Sequence, residues 1–495
     1  MDERLGETLL LLPENSFEKG LIAGISDKKV IEGFAKRIKH IEMTDIQGLG
    51  HVERSSFDVA VSFFEAAPDA GQVRNIFEAV RPGGTVIVIM PSGYLRLPRI
   101  SRVYPGARVY GLSPSLDDPR LAVPIGNSTC AAASLALYQP SLKKAKLGKT
   151  VAYYLAKLGF ATVWARGLML VWRMESADTA RGLPSLLRER FGEEIELALF
   201  TGTPGYLRKP TIQVTHPSGT ILGYCKIGAN EETRAVVANE ARILKLLSGI
   251  DIGTAAVPEL VFCGSLQDGT VVLLQSTRKK HLSSAPLIPG AAHRDFLTRL
   301  FRETRKERGF KESVAYREMS ARLPMVERQV DETLVRDLSD VFVWSSGIMQ
   351  DKGIPLCLTH RDFTPWNTFL AEDRLYVFDW EFARTDWVPF EDAFHFVLQK
   401  GILVDHTQES LLWERLTADA TLEGKFLRDL VASIGVGEDV YYSLLALYLV
   451  DIVTTYALHQ NRYGQTSKDG QELLGCWKAI LARLMKMKGI VPLQQ

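Results

Sequence analysis

The chain has few cysteines and almost no net charge, and each of these features excludes certain classes of protein. Its five cysteines lie far apart without a CxxC pair, which argues against a zinc site or a disulfide framework. Lysine and arginine total 59 against 58 acidic residues, so no whole-protein field attracts nucleic acid, although a local basic face is compatible with this count. The start, "MDERLGETLLLLPENS", lacks the basic region and long apolar stretch of a signal peptide. We therefore expect a folded cytoplasmic protein.

Long apolar runs are also scarce. The longest, "VYYSLLALYLVDIVTTYAL" at 440–458, carries Asp451 in its middle. It is nearly long enough to span a bilayer, but a carboxylate at the bilayer centre is costly. We expect a buried helix of the last domain, with Asp451 paired or functional, and no stable membrane insertion.

The chain is too long for one hydrophobic core and predicts about three structural units. Residues 1–175 alternate apolar strands with helical segments, which predicts an α/β doubly wound, Rossmann-like domain. In this interpretation 8–13 is the first strand, and 160–165 with 168–174 form an antiparallel hairpin. Further strands are expected at 39–45, 57–63 and 84–91, and a helix at 69–80.

The second half of the chain has a different pattern. Small polar residues at 176–194 predict a linker with a short helix. Residues 195–278 predict strands and a helix in the order β-β-β-α-β-β, and 279–495 are mostly helical. This order predicts an α+β region of two lobes.

The stretch "THRDFTPWNTFLAEDRLYVFDWE", 359–381, contains the pattern H-R-D-x-x-x-x-N, followed by a further aspartate. Phosphoryl transfer needs a carboxylate to accept a hydroxyl proton, for which Asp362 is placed. An amide oxygen and a carboxylate, here Asn367 and Asp379, suit Mg²⁺. A two-stranded hairpin between them would bring Asn367 and Asp379 together. His360 is expected to hydrogen-bond the backbone.

Residues from about 195 onward resemble the aminoglycoside phosphotransferase and choline kinase family of protein-kinase-like small-molecule kinases. The resemblance implies that Asp362 is the catalytic base and that Asn367 and Asp379 bind Mg²⁺. It also implies that Lys226, at the end of a strand, and Glu240, in the following helix, form the ion pair that binds ATP phosphates.

The same resemblance places a nucleotide hinge at Gln275, Ser276 and Thr277, whose backbone would meet adenine. The loop that would cover the nucleotide, "TGTPGYLRKP", offers Gly202 and Gly205 but lacks a GxGxxG pattern.

Arg361 departs from the family, which usually has glycine at this position, whereas protein kinases use arginine to bind a phosphorylated loop. The segment between Asp379 and Asp392 is too short for such a loop, so we expect no regulation by phosphorylation of that kind. Asp392 matches an acid that the family keeps, in a supporting role. The acids of "FEDAF" and those near Asp386 are candidates for meeting a cationic acceptor. The same region carries Arg384, Lys400 and Arg415, so we expect no strongly acidic patch.

Residues 57–92 resemble part of a class I S-adenosylmethionine-dependent methyltransferase. That resemblance implies a site for S-adenosylmethionine, with Glu42 near the ribose. The loop after the predicted first strand lacks the family's glycine cluster, so we expect a degenerate domain that serves as a scaffold.

These observations favour an ATP- and Mg²⁺-dependent kinase that phosphorylates a hydroxyl of a small molecule, such as an aminoglycoside, sugar or amino alcohol. One alternative is a bifunctional methyltransferase-kinase that acts on a glycan or natural product. Another is a non-catalytic binding protein built from a pseudokinase and a pseudomethyltransferase.

Overall fold

The computed structural model describes residues 3–490 apart from 13, 15, 94–99, 101, 117, 138–142, 176–181, 193, 203–204, 206, 267, 280–285, 372–373 and 464–467. The chain divides into two compact units, one of residues 1–238 with 260–282 and one of 239–259 with 283–495. The polar segment 176–194, described only in part, falls within the first unit. The division of the chain into four segments stays a prediction.

The first unit is built around one mixed sheet. Its strands and helices are β1 Phe17–Ala23, α1 Lys28–Ala35, β2 Ile38–Thr44, β3 Phe57–Phe63, α2 Ala70–Ala79, β4 Val80–Pro91, β5 Arg108–Pro114, β6 Pro119–Pro124, α3 Ser128–Ser134, α4 Lys143–Lys157, β7 Gly167–Arg173, α5 Leu183–Phe191, β8 Glu196–Phe200, β9 Thr211–Thr215, β10 Ile221–Gly228, α6 Glu231–Leu247, β11 Leu260–Ser265 and β12 Val271–Ser276. Helix α6 continues from Asn239 into the second unit.

Within the described residues the strand order is β11-β12-β10-β9-β8-β6-β5-β7-β4-β3-β1-β2. Strands β2, β1, β3 and β4 pair in parallel, and all the remaining neighbouring strands of this sheet pair antiparallel. Alternate side chains enter two core layers: Ile22 packs in one layer with Phe34 of α1, and Leu21 packs in the other with Ile76 of α2. The parallel part is thus covered on both faces, whereas a Rossmann-like topology for all of 1–175 stays a prediction.

Strand β8 joins the sheet to the strands that follow it. It pairs with β6 through Leu121↔Phe200 and Ala122↔Leu199. Strands β8, β9 and β10, helix α6, and strands β11 and β12 confirm the predicted β-β-β-α-β-β order.

The prediction of a first strand at 8–13 is wrong. Glu3–Leu11 is a 3-10 helix, and the first strand begins at Phe17. Leucine, which is not β-branched, favours helix over strand. Leu5 and Leu9 recur at a helical spacing and are fully buried in the layer that contains α1.

The predicted hairpin at 160–174 is also wrong in its first half. Ala161–Val163 is a 3-10 turn, and only Gly167–Arg173 is a strand. That strand, β7, pairs with β4 on one side and with β5 on the other. Both of its edges are therefore filled.

The second unit is mostly helical. Its elements are α7 Ala291–Thr304, α8 Val314–Met325, α9 Glu332–Asp351, β13 Cys357–Thr359, β14 Thr368–Ala371, β15 Arg374–Val377, β16 Arg384–Trp387, α10 Glu391–Leu403, α11 Glu409–Thr417, α12 Leu422–Ala432, α13 Glu438–Tyr463 and α14 Lys468–Lys488. Within the described residues, one stretch, Glu438–His459 of α13, is long and apolar enough to cross a membrane. Its most apolar window is 83% buried inside the protein, which confirms the predicted core helix.

Candidate active site

A buried carboxylate holds the loop that follows β13. The backbone N–H groups of His360 and Arg361 each donate to Asp392, at the start of α10, over 2.8 Å. Burial raises the pKa of Asp392, and these two N–H groups oppose that rise. The supporting role predicted for Asp392 is confirmed.

His360 connects the two ends of the site through the backbone, as predicted. The backbone N–H of Asp362 donates to His360 Nδ1 over 3.2 Å, so the proton of the neutral ring lies on Nε2. His360 Nε2 then donates to the carbonyl oxygen of Phe378 over 3.0 Å. His360 therefore positions Asp362 rather than reacting.

The side chain of Asp362 is partly exposed, and its two oxygens have different partners. Asn367 Nδ2 donates to Asp362 Oδ2 over 2.8 Å and to its backbone carbonyl over 2.9 Å. Because the amide nitrogen is used in this way, the amide oxygen of Asn367 is the atom available to a cation. The carboxylate of Asp362 and the amide oxygen of Asn367 are thus open to different ligands, and their roles as base and Mg²⁺ ligand stay predictions.

A histidine that the motif does not include meets the other oxygen of Asp362. His395 Nε2, on α10, lies 3.3 Å from Asp362 Oδ1, and His395 Nδ1 lies 3.3 Å from the hydroxyl of Tyr448. An ionised carboxylate only accepts hydrogen bonds, so Nε2 donates and Nδ1 accepts from Tyr448. Sequence reasoning missed His395, which lies three residues after Asp392 and has no recognisable pattern of its own.

The hairpin of β14 and β15 returns the chain to Asn367. Its register pairs Thr368 with Val377, and the backbone N–H of Phe378 donates to the carbonyl of Asn367 over 3.1 Å. Asp379 follows immediately, in a left-handed conformation with φ +73°. The hairpin predicted between Asn367 and Asp379 is therefore confirmed.

Three carboxylates of the second unit converge at this point. One oxygen from each of Glu240, Asp379 and Glu381 lies within 4.8 Å of the others. Asn239 fixes the neighbouring turn, because its Nδ2 donates to the carbonyl oxygens of Glu381 over 2.8 Å and of Ala383 over 3.0 Å. Hard oxygen donors at this spacing fit Mg²⁺. The sequence signal for Glu381, the acid in "FDWE", was overlooked.

Arg361 adopts φ +66°, which explains why glycine suits this position. Its guanidinium is buried, donates to both oxygens of Asp451 over 2.7 and 2.8 Å, and lies 4.2 Å from the ring centre of Trp387. Arg322 also pairs with Asp451. Burial would raise the pKa of Asp451, but the two guanidinium groups outweigh burial and lower this pKa below its usual value. The prediction that Asp451 is paired is confirmed.

Four of the five nucleotide residues predicted from the resemblance, Lys226 and Gln275 to Thr277, lie in the first unit. Lys226 is buried on β10, opposite Thr211 of β9 and Leu273 of β12. Gln275 is buried near the end of β12, Ser276 ends that strand, and Thr277 follows it. Glu240 is fully buried in the second unit. The ion pair of Lys226 with Glu240 and the contact of 275–277 with adenine stay predictions.

The acids proposed to meet a cationic acceptor are not available for that role. Asp386 is buried and accepts hydrogen bonds from Arg308 and from the backbone N–H of Val314. Glu391 is also buried, and its Oε2 accepts a hydrogen bond from Trp387 over 2.7 Å. Both carboxylates are thus turned inward, where hydrogen-bond donors compensate for their burial.

Comparison with known proteins agrees with this geometry. Residues 211–401 match the model of the phosphotransferase enzyme family. Among curated proteins, none matches the chain significantly.

Solved structures similar to the chain include three kinases. A thermostable mutant of aminoglycoside phosphotransferase APH(4)-Ia is 12% identical, with 60% of this chain and 98% of that chain covered and a TM-score of 0.41. Choline kinase LicA from Streptococcus pneumoniae is 14% identical, with 61% and 99% covered and a TM-score of 0.39. The GDP and kanamycin complex of APH(2")-IIia is 15% identical, with 61% and 98% covered and a TM-score of 0.39.

The family match spans Lys226, Glu240 and the whole segment from His360 to Asp392, which includes the catalytic pattern. Residues 211–401 are therefore similar to a domain of the phosphotransferase enzyme family.

Proposed function

We propose that the protein transfers the γ-phosphate of ATP to a hydroxyl group of a small molecule, in the presence of Mg²⁺. The observation that carries this proposal is the arrangement around Asp362, whose carboxylate is fixed by Asn367 and His395 while one edge stays exposed. Three carboxylates, those of Glu240, Asp379 and Glu381, lie close together at the end of the hairpin that follows Asn367. This combination supplies a base and a place for a cation, which are what phosphoryl transfer needs from a protein.

In the proposed reaction Asp362 accepts the proton of the acceptor hydroxyl. The hydroxyl oxygen forms a bond to the γ-phosphorus as the bond to the β,γ-bridging oxygen breaks, and ADP leaves with that electron pair. Bound Mg²⁺ would neutralise charge on the phosphate oxygens. The hydrogen bonds from Asn367 and His395 hold the carboxylate of Asp362 in one orientation, which limits the reorganisation needed during the reaction.

The test is incubation of the full chain with ATP, Mg²⁺ and a metabolite extract, followed by mass spectrometry for species that gain a phosphate. We expect such a product with the unmodified protein and with Asp251→Asn, an exposed carboxylate of the same unit. Asp362→Asn and Asp379→Ala should abolish it while thermal unfolding is unchanged. Full activity of both variants would refute the site assignment, and nucleotide binding without turnover would favour the non-catalytic alternative.

The acceptor class follows from the charges near the site. Because Asp386, Glu391 and Asp392 are buried and paired, they offer no acidic surface for several ammonium groups. We therefore favour a neutral sugar, a polyol or a simple amino alcohol over an aminoglycoside. A panel of these acceptors, compared with kanamycin, tests that preference.

One observation keeps methyl transfer as a second candidate. A cavity of about 670 Å³ lies where β1 and β2 end, lined by Gly24, Ile25, Ser26, Met43, Thr44, Asp45, Ile46 and Gln47. Ligands of α/β sheets bind at the carboxyl ends of strands. Glu42 does not line this cavity, and its carboxylate lies 3.6 Å from Lys19 Nζ. Calorimetry with S-adenosylmethionine distinguishes the two roles of the N-terminal region. Binding would support a bifunctional protein, and no detectable binding would support a scaffold.

A further inference from the structure

Although the net charge of the whole chain is close to zero, one segment of the sequence is strongly basic. Residues 119–174 contain no aspartate or glutamate. Their charged residues are all basic, namely Arg120, Lys143, Lys144, Lys146, Lys149, Lys157, Arg166 and Arg173. Five of these lysines lie in helix α4, which has no acidic residue. The excess of basic residues in this segment is therefore concentrated in the sequence of one helix.

The same helix exposes an apolar stripe. Leu147, Val151 and Tyr154 of the helix and Leu158, the residue that follows it, are spaced by four, three and four residues, which is the spacing of one side of a helix. Between 51% and 71% of each of these residues is exposed, whereas Ala156, on the opposite side, is fully buried. Helix α4 thus contacts the protein through its other face and leaves the stripe to solvent.

The stripe continues beyond the helix. Phe160 and Val163, in the turn that leads to β7, are 43% and 63% exposed. Single exposed apolar residues are ordinary, but a contiguous set marks an interaction surface. Lys157, the last residue of the helix, is also exposed and directly precedes Leu158.

We propose that this surface, defined as the exposed side chains of residues 147–158 and 160–163, lies on membranes that contain anionic lipid. Exposed aliphatic and aromatic side chains beside lysines suit the boundary between lipid headgroups and acyl chains. A nucleic acid would match the lysines but not the aliphatic stripe. At fifteen residues, helix α4 is too short to cross a bilayer, so the binding is peripheral.

The proposal is independent of the phosphotransferase activity. It predicts that the full-length protein sediments with extruded vesicles of phosphatidylcholine and phosphatidylglycerol, and not with phosphatidylcholine alone. Binding should weaken as salt rises, because salt screens the attraction between lysines and lipid headgroups.

Two pairs of variants test the two parts of the surface. Leu147→Gln with Leu158→Gln should weaken vesicle binding at least about tenfold, because these side chains would enter the membrane boundary. Leu422→Gln, on α12, is the control, since Leu422 is equally exposed at 68%. Lys157→Gln should weaken binding about fivefold, because Lys157 is the exposed lysine next to the stripe. Lys28→Gln, an exposed lysine outside the surface, should leave binding unchanged.

All of these substitutions are designed to leave the fold intact, which circular dichroism checks. Equal binding of the Leu147→Gln/Leu158→Gln variant and the unmodified protein would overturn the proposal, as would the absence of binding to anionic vesicles. A dimer in light scattering that this double variant dissociates, without vesicle binding, would assign the stripe to a second copy of the chain instead.

Discussion

At the scale of single residues, the two oxygens of Asp362 have unequal neighbours. Asn367, which belongs to the catalytic pattern, donates a hydrogen bond to one of them. His395 holds the other from α10, and Tyr448 in turn holds His395 from α13. A base that must accept a proton at one position benefits from partners that fix its rotamer. His395 is therefore a positioning residue for the proposed reaction.

We expect His395→Ala to lower kcat for phosphoryl transfer about tenfold or more, which is part of the roughly 10²–10⁴-fold that a positioned general base contributes. KM for ATP should stay unchanged, because His395 contacts only Asp362 and Tyr448 among the hydrogen bonds described above. His395→Gln, which keeps a donor, should recover part of kcat. Steady-state kinetics with the acceptor found by mass spectrometry measures both constants. Parallel changes in kcat and KM for both variants would indicate a general structural role.

Arg361 and Asp451 show what sequence reasoning reaches at this scale and where it stops. Each residue is unusual in its context, since Arg361 replaces an expected glycine and Asp451 interrupts an apolar helix. The expectation that Asp451 is paired followed from the cost of burying a lone charge. Its partner Arg361 lies 90 residues away, and no local pattern links residues that meet only through tertiary packing.

At the scale of elements, the N-terminal 3-10 helix connects to the loop between β8 and β9. Glu7 of this helix pairs with Arg208, and Arg208 also donates to the carbonyl of Thr201 over 2.9 Å. Burial raises the pKa of Glu7 from 4.5 to about 7, and the nearby charges of Arg208, Lys36 and Arg37 only partly oppose it. The fold therefore binds the proton of Glu7 more tightly than the unfolded chain does.

The sign of the resulting pH dependence follows from that difference. Between pH 4.5 and about 7 the folded state holds more protons, so the free energy of unfolding decreases as pH rises. Over this interval the loss attributable to Glu7 is about 3 kcal/mol, at about 1.4 kcal/mol per pKa unit. Glu7→Gln should remove that part of the slope. Urea unfolding at pH 5 and pH 8 measures it, with exposed Glu32→Gln as the control. An unchanged slope in Glu7→Gln would contradict the prediction.

Elements were predicted well where the period of the sequence was distinct. The mostly apolar run 57–63 is β3 in its entirety, and the capped segment at 69–80 contains α2. The leucine run at 8–13 failed because a short apolar run has no period that separates strand from helix. The segment 160–165 failed because strand pairing is decided by which edges are already occupied.

At the scale of the whole molecule, the strands that carry Lys226 and Gln275 continue the N-terminal sheet of the first unit. The only strand pair linking the two parts among the described residues is β6 with β8. One core layer runs along the sheet on both sides of that pair, from Ile22 and Val61 to Leu197 and Val272. The N-terminal residues are thus built into the same sheet as the strands predicted to bind nucleotide, which the separation of domains by sequence did not suggest.

Breaking the β6–β8 pair should therefore affect both parts of the first unit. We expect Ala122→Pro to lower the free energy of unfolding by about 3 kcal/mol or more, because proline removes a ladder hydrogen bond inside a sheet and strains its neighbours. Val261→Pro, on the edge strand β11, should cost less. Calorimetry of the full chain and fluorescence titration with an ATP analogue measure stability and nucleotide affinity. Stability and nucleotide affinity should both decrease in Ala122→Pro. If stability decreased and nucleotide affinity stayed unchanged, the strands that carry Lys226 and Gln275 would keep their arrangement without the N-terminal sheet.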